Sequence, residues 1–358
     1  MQKDTSEAAG TDAATITAPR EIAEFDHAKG PLGRLQDFLH RTPAAVPLIV
    51  LVLSIAVFGI LLGQRFFSPF SLTLILQQVA IVGIVGAAQS LVVLTKGIDL
   101  SVGAIMVLCS VVMGQFVFRY GLPPELAILC GLGIGALCGL VSGILVAKVR
   151  LPPFIVTLGM WQILLAANFL YSANETLRSQ DIAARAPILQ FFGERVTIGG
   201  AVLTYGVIAM IALVLVLVLA YVLKHTAWGR HVYAVGDDPE AAKLAGVKVD
   251  RVLISVYVLS GLICALAGWV LIGRIGSVSP TAGQFANIES ITAVVIGGIS
   301  LFGGRGSIMG MLFGALIVGV FSLGLRLIGT DPQWTYLLIG MLIIVAVAID
   351  QWIRKGSP

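Results

Sequence analysis

The sequence predicts an all-α polytopic membrane protein, and three observations carry that prediction. Hydrophobic residues make up 58% of the 358 positions and charged residues only 12%, about half the roughly 25% charge that a water-soluble domain carries. Mean hydropathy is +0.98. The apolar residues also lie in unbroken runs of about 20, the length one helix needs to cross a bilayer with every backbone group paired internally. Transmembrane strands would alternate apolar and polar residues instead, which disfavours a β-barrel.

The elements follow in order. Residues 1–42 include Lys3, Asp4, Glu7, Asp12, Arg20, Glu21, Glu24 and Asp26, without the basic-then-apolar opening of a cleavable leader. They read as a disordered tail. About ten spans (eight to ten) follow within a membrane domain at 43–353, near 45–63, 72–94, 100–119, 124–147, 152–171, 201–223, 252–273, 287–302, 307–327 and 333–353, with a short tail at 354–358. The run at 287–302 is the shortest.

Lysine and arginine in the short loops set the orientation. With the N-terminus inside, the inner loops hold Lys96, Lys148, Arg150, Lys224, Arg230, Lys243, Lys248, Arg251, Arg305, Arg354 and Lys355. The outer segments hold Arg119, Arg178, Arg185, Arg195, Arg274 and Arg326, partly offset by Glu175, Asp181 and Glu194. Both termini are therefore expected in the cytoplasm, and 172–200 is the largest outer loop. The net charge of +4 is too small to argue for a nucleic-acid partner. Cys109, Cys130, Cys138 and Cys264 sit in apolar runs without metal-ligand spacing and read as small buried hydrophobes.

A weak internal echo links "LVVLTKGIDLSVGAIM" (91–106) with "AVVIGGISLFGGRGSIM" (293–309). Duplicated halves are common in transporters. Six helices separate the copies on this count, which makes them parallel; a miscounted span makes them inverted.

Between two apolar runs lies "GDDPEAAKLAGVKVDR" (236–251), which is built like a soluble helix. Asp238 can cap it, Pro239 suits its first position, and Glu240 favours its positive end. Ala241, Ala242, Leu244 and Ala245 propagate it, Lys243 lies among them, and Gly246 suits the left-handed residue that ends it. Two turns are unstable alone. The stretch reads as a surface loop or as a knob that docks into a partner's groove, where small alanines fit.

Asp99 is costly at membrane depth and should be paired or functional. Lys96, three residues away, can pair with it on a helical turn. Asp99 can also cap the apolar helix at 100–119 that it precedes, or act as a gate with Ser101 beside it. Polar residues inside spans are Gln77, Gln78, Gln89, Trp161, Gln162, Asn168, Glu289, Ser290 and Thr292. They read as helix-to-helix glue or as the lining of a pathway. Trp269, Trp334 and Trp352 near span ends read as interfacial anchors. Gly131, Gly135 and Gly139 form a small-residue stripe for close packing, a candidate dimer face.

No catalytic site emerges. The phosphate-binding pattern G-x-x-x-x-G-K-[ST] is absent, and "FGGRGS" (302–307) reads as a tight turn. His27, His40, His225 and His231 lie outside the spans, so no metal site, cofactor or enzyme activity is expected.

Three motifs carry a family resemblance over the chain from about residue 45 onward. "TAWGRHVYAVGDDPEAAKLAGVKVDR" (226–251), "LTKGIDLSVGA" (94–104) and "VIGGISLFGGRGSIMGMLFGALIVG" (295–319) resemble the permeases of bacterial ATP-binding-cassette (ABC) sugar importers of the ribose, xylose and fructose class. "GQFANIESITAVVIGGISLFGGRGS" and "GTDPQWTYLLIG" are most similar to fructose import permeases. The resemblance implies a homodimer of permeases in the inner membrane, a cytoplasmic ATPase and a periplasmic sugar-binding protein. It implies that Glu240, Ala241, Ala242 and Gly246 belong to a coupling helix. Lys96 departs from the pattern, since small residues are usual there. The competing reading is an ion-coupled secondary transporter. That class needs ionisable groups near the bilayer centre, and here Asp99 is the main one.

Overall fold

The structure, a computed structural model, describes residues 44–193, 195–198, 201–204, 206–283 and 285–355. The predicted tail at 1–42 lies outside these residues. Thirteen helices are described: α1 (Ala45–Leu62), α2 (Pro69–Leu94), α3 (Val102–Tyr120), α4 (Pro124–Ala147), α5 (Pro153–Ser172), α6 (Ser179–Arg185), α7 (Gly206–His225), α8 (Ala227–Asp237), α9 (Pro239–Leu244), α10 (Val249–Ile275), α11 (Ala286–Ile296), α12 (Ile308–Ile328) and α13 (Pro332–Lys355). A two-stranded hairpin, β1 (Arg195–Ile198) against β2 (Ala201–Thr204), precedes α7.

Every predicted span coincides with a helix, with three corrections. The run at 287–302 is an 11-residue helix, about 16 Å long, against the roughly 30 Å of a bilayer core. Residues 201–204 belong to the hairpin, so that span begins only at Gly206. Helix α13 runs to Lys355, so the first two residues of the predicted tail at 354–358 continue the last helix. Seven described helices are long and apolar enough to cross alone; α7 and α8 together make an eighth candidate, bent by 78°.

Local sequence explains the boundaries. Ser68 accepts from the Ser71 amide, with Pro69 in the first turn of α2. Ser307 and Thr226 cap α12 and α8 in the same way. Gly303, Gly304 and Gly306 all have positive φ and build the tight turn before α12.

The buried core centres on α2, α3 and α10, and a second core forms where α1 and α12 pack on α2. The α4–α10 pair is the most extensive, and glycines make it close. A Cβ on Gly139 would stand 2.1 Å from the Tyr257 carbonyl oxygen, and one on Gly135 would stand 2.5 Å from that of Gly261. The glycine stripe is therefore sealed inside one chain, which overturns its reading as a dimer face. Gly131 also faces inward, against Met113. Trp269 likewise is no interfacial anchor: its Nε1 donates to the Ile188 carbonyl at 3.1 Å and its ring packs on Phe192. It pins residues 187–193 onto α10. Trp334 is exposed, as an anchor requires, and the Trp352 side chain lies outside the described residues. The outer flanks of α1, α4, α5, α7 and α13 expose leucine, isoleucine, valine and phenylalanine, the surface a helix presents to lipid.

Candidate functional site: a docking helix, two paired turns and a cleft

Helix α9 is capped as the sequence predicts. Asp238 accepts from the Glu240 amide at 2.8 Å and the Ala241 amide at 3.1 Å. These two N–H groups hold its carboxyl below the usual aspartate value. Gly246 has φ 85°, and the Val247 amide returns to the Ala242 carbonyl at 3.0 Å, closing the helix. Pro239, Glu240, Ala241 and Lys243 are exposed, but Ala242 is 5% exposed and faces its own bundle. A partner's groove therefore cannot receive Ala242. The prominent side chain is Leu244, 91% exposed, which composition and pattern did not single out. Its position four residues after Glu240, on the same helix flank, was the available signal.

Residues 95–101 and 297–307 occupy the same end of the bundle as α9. Both turns use one design. Helix α2 ends with the Gly97 amide on the Val92 carbonyl and the Lys96 amide on that of Val93; α11 ends with the Ile299 amide on the Val294 carbonyl and the Gly298 amide on that of Val295. Next, an oxygen of Asp99 or Ser300 accepts from the amide two residues on, Ser101 or Phe302. The turns touch, with the Gly304 amide donating to the Leu94 carbonyl at 3.0 Å. Two similar turns joined at one end make the echo a parallel one, as the span count gives.

Asp99 is buried and not paired with Lys96, contrary to the helical-turn expectation. The chain reverses at Lys96, whose φ of 63° breaks the helix, so no shared face exists. Asp99 Oδ1 accepts from the Ser101 amide at 2.8 Å and the Ser101 hydroxyl at 2.6 Å. The Gln89 amide, oriented so that donors meet acceptors, donates to the Asp99 carbonyl at 2.9 Å and accepts from its N–H at 3.2 Å. Unwound backbone at membrane depth is tolerated because protein groups satisfy it. Asp99 thus closes a turn just before α3, whose N-cap position belongs to Ser101. Asp99→Ala is expected to cost about 1–3 kcal/mol by stranding a buried N–H, and Asp99→Asn under ~1 kcal/mol because an oxygen remains. Thermal unfolding in detergent measures the difference. Equal losses would mean that the charge, not the turn, matters.

A cleft of about 190 Å³ opens between α3, α5 and the start of α11. Trp161 and Asn168 line it, with Gly103, Val107, Phe285 and Asn287. Asn168 Nδ2 donates to the Pro280 carbonyl at 2.7 Å, while its buried Oδ1 has no partner among the described residues. The other predicted polar residues divide. Gln162 is exposed on a different flank of α5 and is absent from this cleft. Thr292 bonds back to the Ile288 carbonyl of its own helix at 2.7 Å, and Ser290 to that of Asn287. Gln78 lies at 3.5 Å from both Glu289 and Arg274, forming a polar contact between α2, α10 and α11. Gln77 is half-buried. Glue describes Gln78 and Gln89, while Thr292 and Ser290 bond only within their own helix; the cleft gathers Trp161 and Asn168. Asn287, which the sequence reading passed over, joins them because α11 begins beside Gly103.

Residues 71–347 match the family model described as the permease component of branched-chain amino acid transport systems. The chain belongs to this permease family. It is 78% identical to the fructose import permease protein of Rhizobium meliloti, over 94% of this chain and 93% of that one. It is 36% identical to the ribose import permease protein of Bacillus subtilis, over 92% and 96% of the two chains. It is 33% identical to the galactose/methyl galactoside import permease protein of Escherichia coli strain K12, over 84% and 91%. No solved structure matches the chain. As a permease of this family, the chain is a multi-pass membrane protein, in line with its helix count. Among the described residues no cluster of histidine, cysteine, aspartate and glutamate could hold a metal.

Proposed function

We propose that this permease translocates a monosaccharide, fructose or a close relative, as the membrane subunit of an ABC importer. The relative sharing 78% identity is named a fructose import permease, and that likeness carries the reading. In this proposal two copies of the chain form the channel in the bacterial inner membrane, lipid surrounds them, and both termini are cytoplasmic. A cytoplasmic ATPase docks on α9, and a periplasmic binding protein delivers the sugar from the opposite side. ATP is hydrolysed on the partner, not here.

The site geometry supports this division of labour. An indole face and an amide oxygen without a partner suit a sugar, which offers C–H faces and hydroxyl donors. The cleft presents few such groups. A transport path needs few, because tight binding would trap the solute, and affinity can reside in the binding protein. Asp99 is held by its own turn, so the strongest candidate for a coupling-ion site is otherwise engaged. That disfavours a secondary transporter.

Proteoliposomes test the reading. The chain alone, given a proton or sodium gradient, is expected to accumulate no fructose. With its ATPase, binding protein and ATP it is expected to accumulate fructose against the gradient. Uphill uptake by the chain alone would overturn the proposal.

A further inference from the structure

Lys96 occupies a position that suits glycine. It is the left-handed residue that terminates α2, with φ 63°, and the matching residue that terminates α11 is Gly298, with φ 75°. A side chain held there against backbone preference asks for a reason. Its stem lies across Gly303, where an added Cβ would meet Lys96 Cγ at 2.4 Å. Its ammonium donates to the Asp237 carbonyl at 2.5 Å. Asp237 is the last residue of α8, so the ammonium meets the negative end of that helix. The next residue, Asp238, caps α9.

Other ties surround this one. Tyr233 on α8 donates to the Gly306 carbonyl at 2.9 Å, and the two turns share the Leu94–Gly304 bond. A Cβ on Gly236 would stand 1.8 Å from the Leu94 carbonyl oxygen, so α8 lies directly on the end of α2. Beyond Lys96 the chain runs through Asp99 into α3, whose Gly103 and Val107 line the cleft.

We infer that Lys96 is a positioning residue that fastens the α8–α9 junction to the α2–α3 turn, so that displacement of α9 reaches the cleft wall. This rests on the importer reading and adds to it the specific side chain that transmits the push. The lysine accepts a strained backbone conformation because a glycine there could not reach Asp237.

The test uses the whole importer, this chain with its ATPase and binding protein, in proteoliposomes. Fructose uptake, ATP hydrolysis and thermal stability are measured together. Lys96→Gly removes both the strain and the tie. Its unfolding temperature is expected to stay level or rise and its ATPase rate to remain within about twofold. Sugar moved per ATP is expected to fall roughly tenfold, the scale set by losing one charge-assisted hydrogen bond. Lys96→Arg keeps a donor and is expected to retain most of the ratio. A Lys96→Gly importer with the wild-type ratio would overturn the inference. So would a parallel fall in uptake, ATPase and stability, which would mean that the lysine only holds the fold. If the wild-type importer moves no sugar with ATP, the importer reading fails instead, before any variant is compared.

Discussion

Gly139→Leu is expected to destabilise the protein severely, whereas Gly133→Ala on the same helix is expected to be neutral or slightly stabilising. The two glycines lie six residues apart on α4, about 120° apart around the helix, so that one is buried and the other exposed. A Cβ at Gly139 meets the Tyr257 carbonyl oxygen at 2.1 Å and its carbonyl carbon at 2.8 Å. These are backbone atoms of α10, so they cannot rotate aside. Room for a side chain can come only by parting α4 from α10, the most extensive helix pair in the bundle. Overpacking of this kind costs about 1–3 kcal/mol or more, and the loss spreads because Gly135, Gly143 and Gly261 share the same seam. Gly133 is exposed and an added Cβ there meets nothing within 4 Å. Alanine is the better helix former by up to about 1 kcal/mol. Unfolding temperature and yield of monodisperse protein in detergent measure both. Equal behaviour of the two variants would mean that the seam does not hold the bundle together.

That glycine seam also marks how far the sequence could be read. The spacing of Gly131, Gly135 and Gly139 announced a close helix contact, but spacing does not name the partner helix. α10 lies about a hundred residues on, and only the fold brings Gly261 opposite Gly135. The ten apolar runs were legible because burial in lipid demands continuous hydrophobicity. Helix α11 was misjudged in length because Gly297, Gly298 and the residues after them are as apolar as a helix while forming a turn. Hydropathy does not register the positive φ of Gly298. The capping of α9 was legible in full, since Asp238, Pro239 and Gly246 act on their immediate neighbours. Which way α9 rolls was not: burial of Ala242 and exposure of Leu244 depend on contacts with the rest of the bundle. The same limit explains Asp99. Its tie to Ser101 is local and follows from an Asx turn, but its bond to Gln89 needed α2 and the 95–101 turn to fold side by side. Lys96 was misassigned to Asp99 because a helix was assumed where the chain turns back.

Glu240→Lys is expected to abolish ATP-driven fructose uptake, by about thirtyfold or more, while the permease still folds and inserts. Glu240 is exposed in the first turn of α9, at its positive end. Reversing its charge costs the helix itself no more than about 1 kcal/mol, and the Asp238 cap does not depend on the Glu240 side chain. The bundle therefore has no reason to unfold. A docked ATPase would instead meet a cation where an anion belonged. Reversing one member of a desolvated charge pair at an interface costs about 2–5 kcal/mol, which is thirtyfold or more at about 1.4 kcal/mol per decade. Leu244 sits one turn further along α9 and is 91% exposed, so a docked partner would cover both residues. Three readouts separate the outcomes: co-purification of the ATPase with the permease, uptake in proteoliposomes, and unfolding temperature of the permease alone. Loss of the first two with the third unchanged is the expected pattern. Normal uptake with the ATPase still bound would move the docking site away from α9, and a lowered unfolding temperature would make Glu240 a residue of the fold.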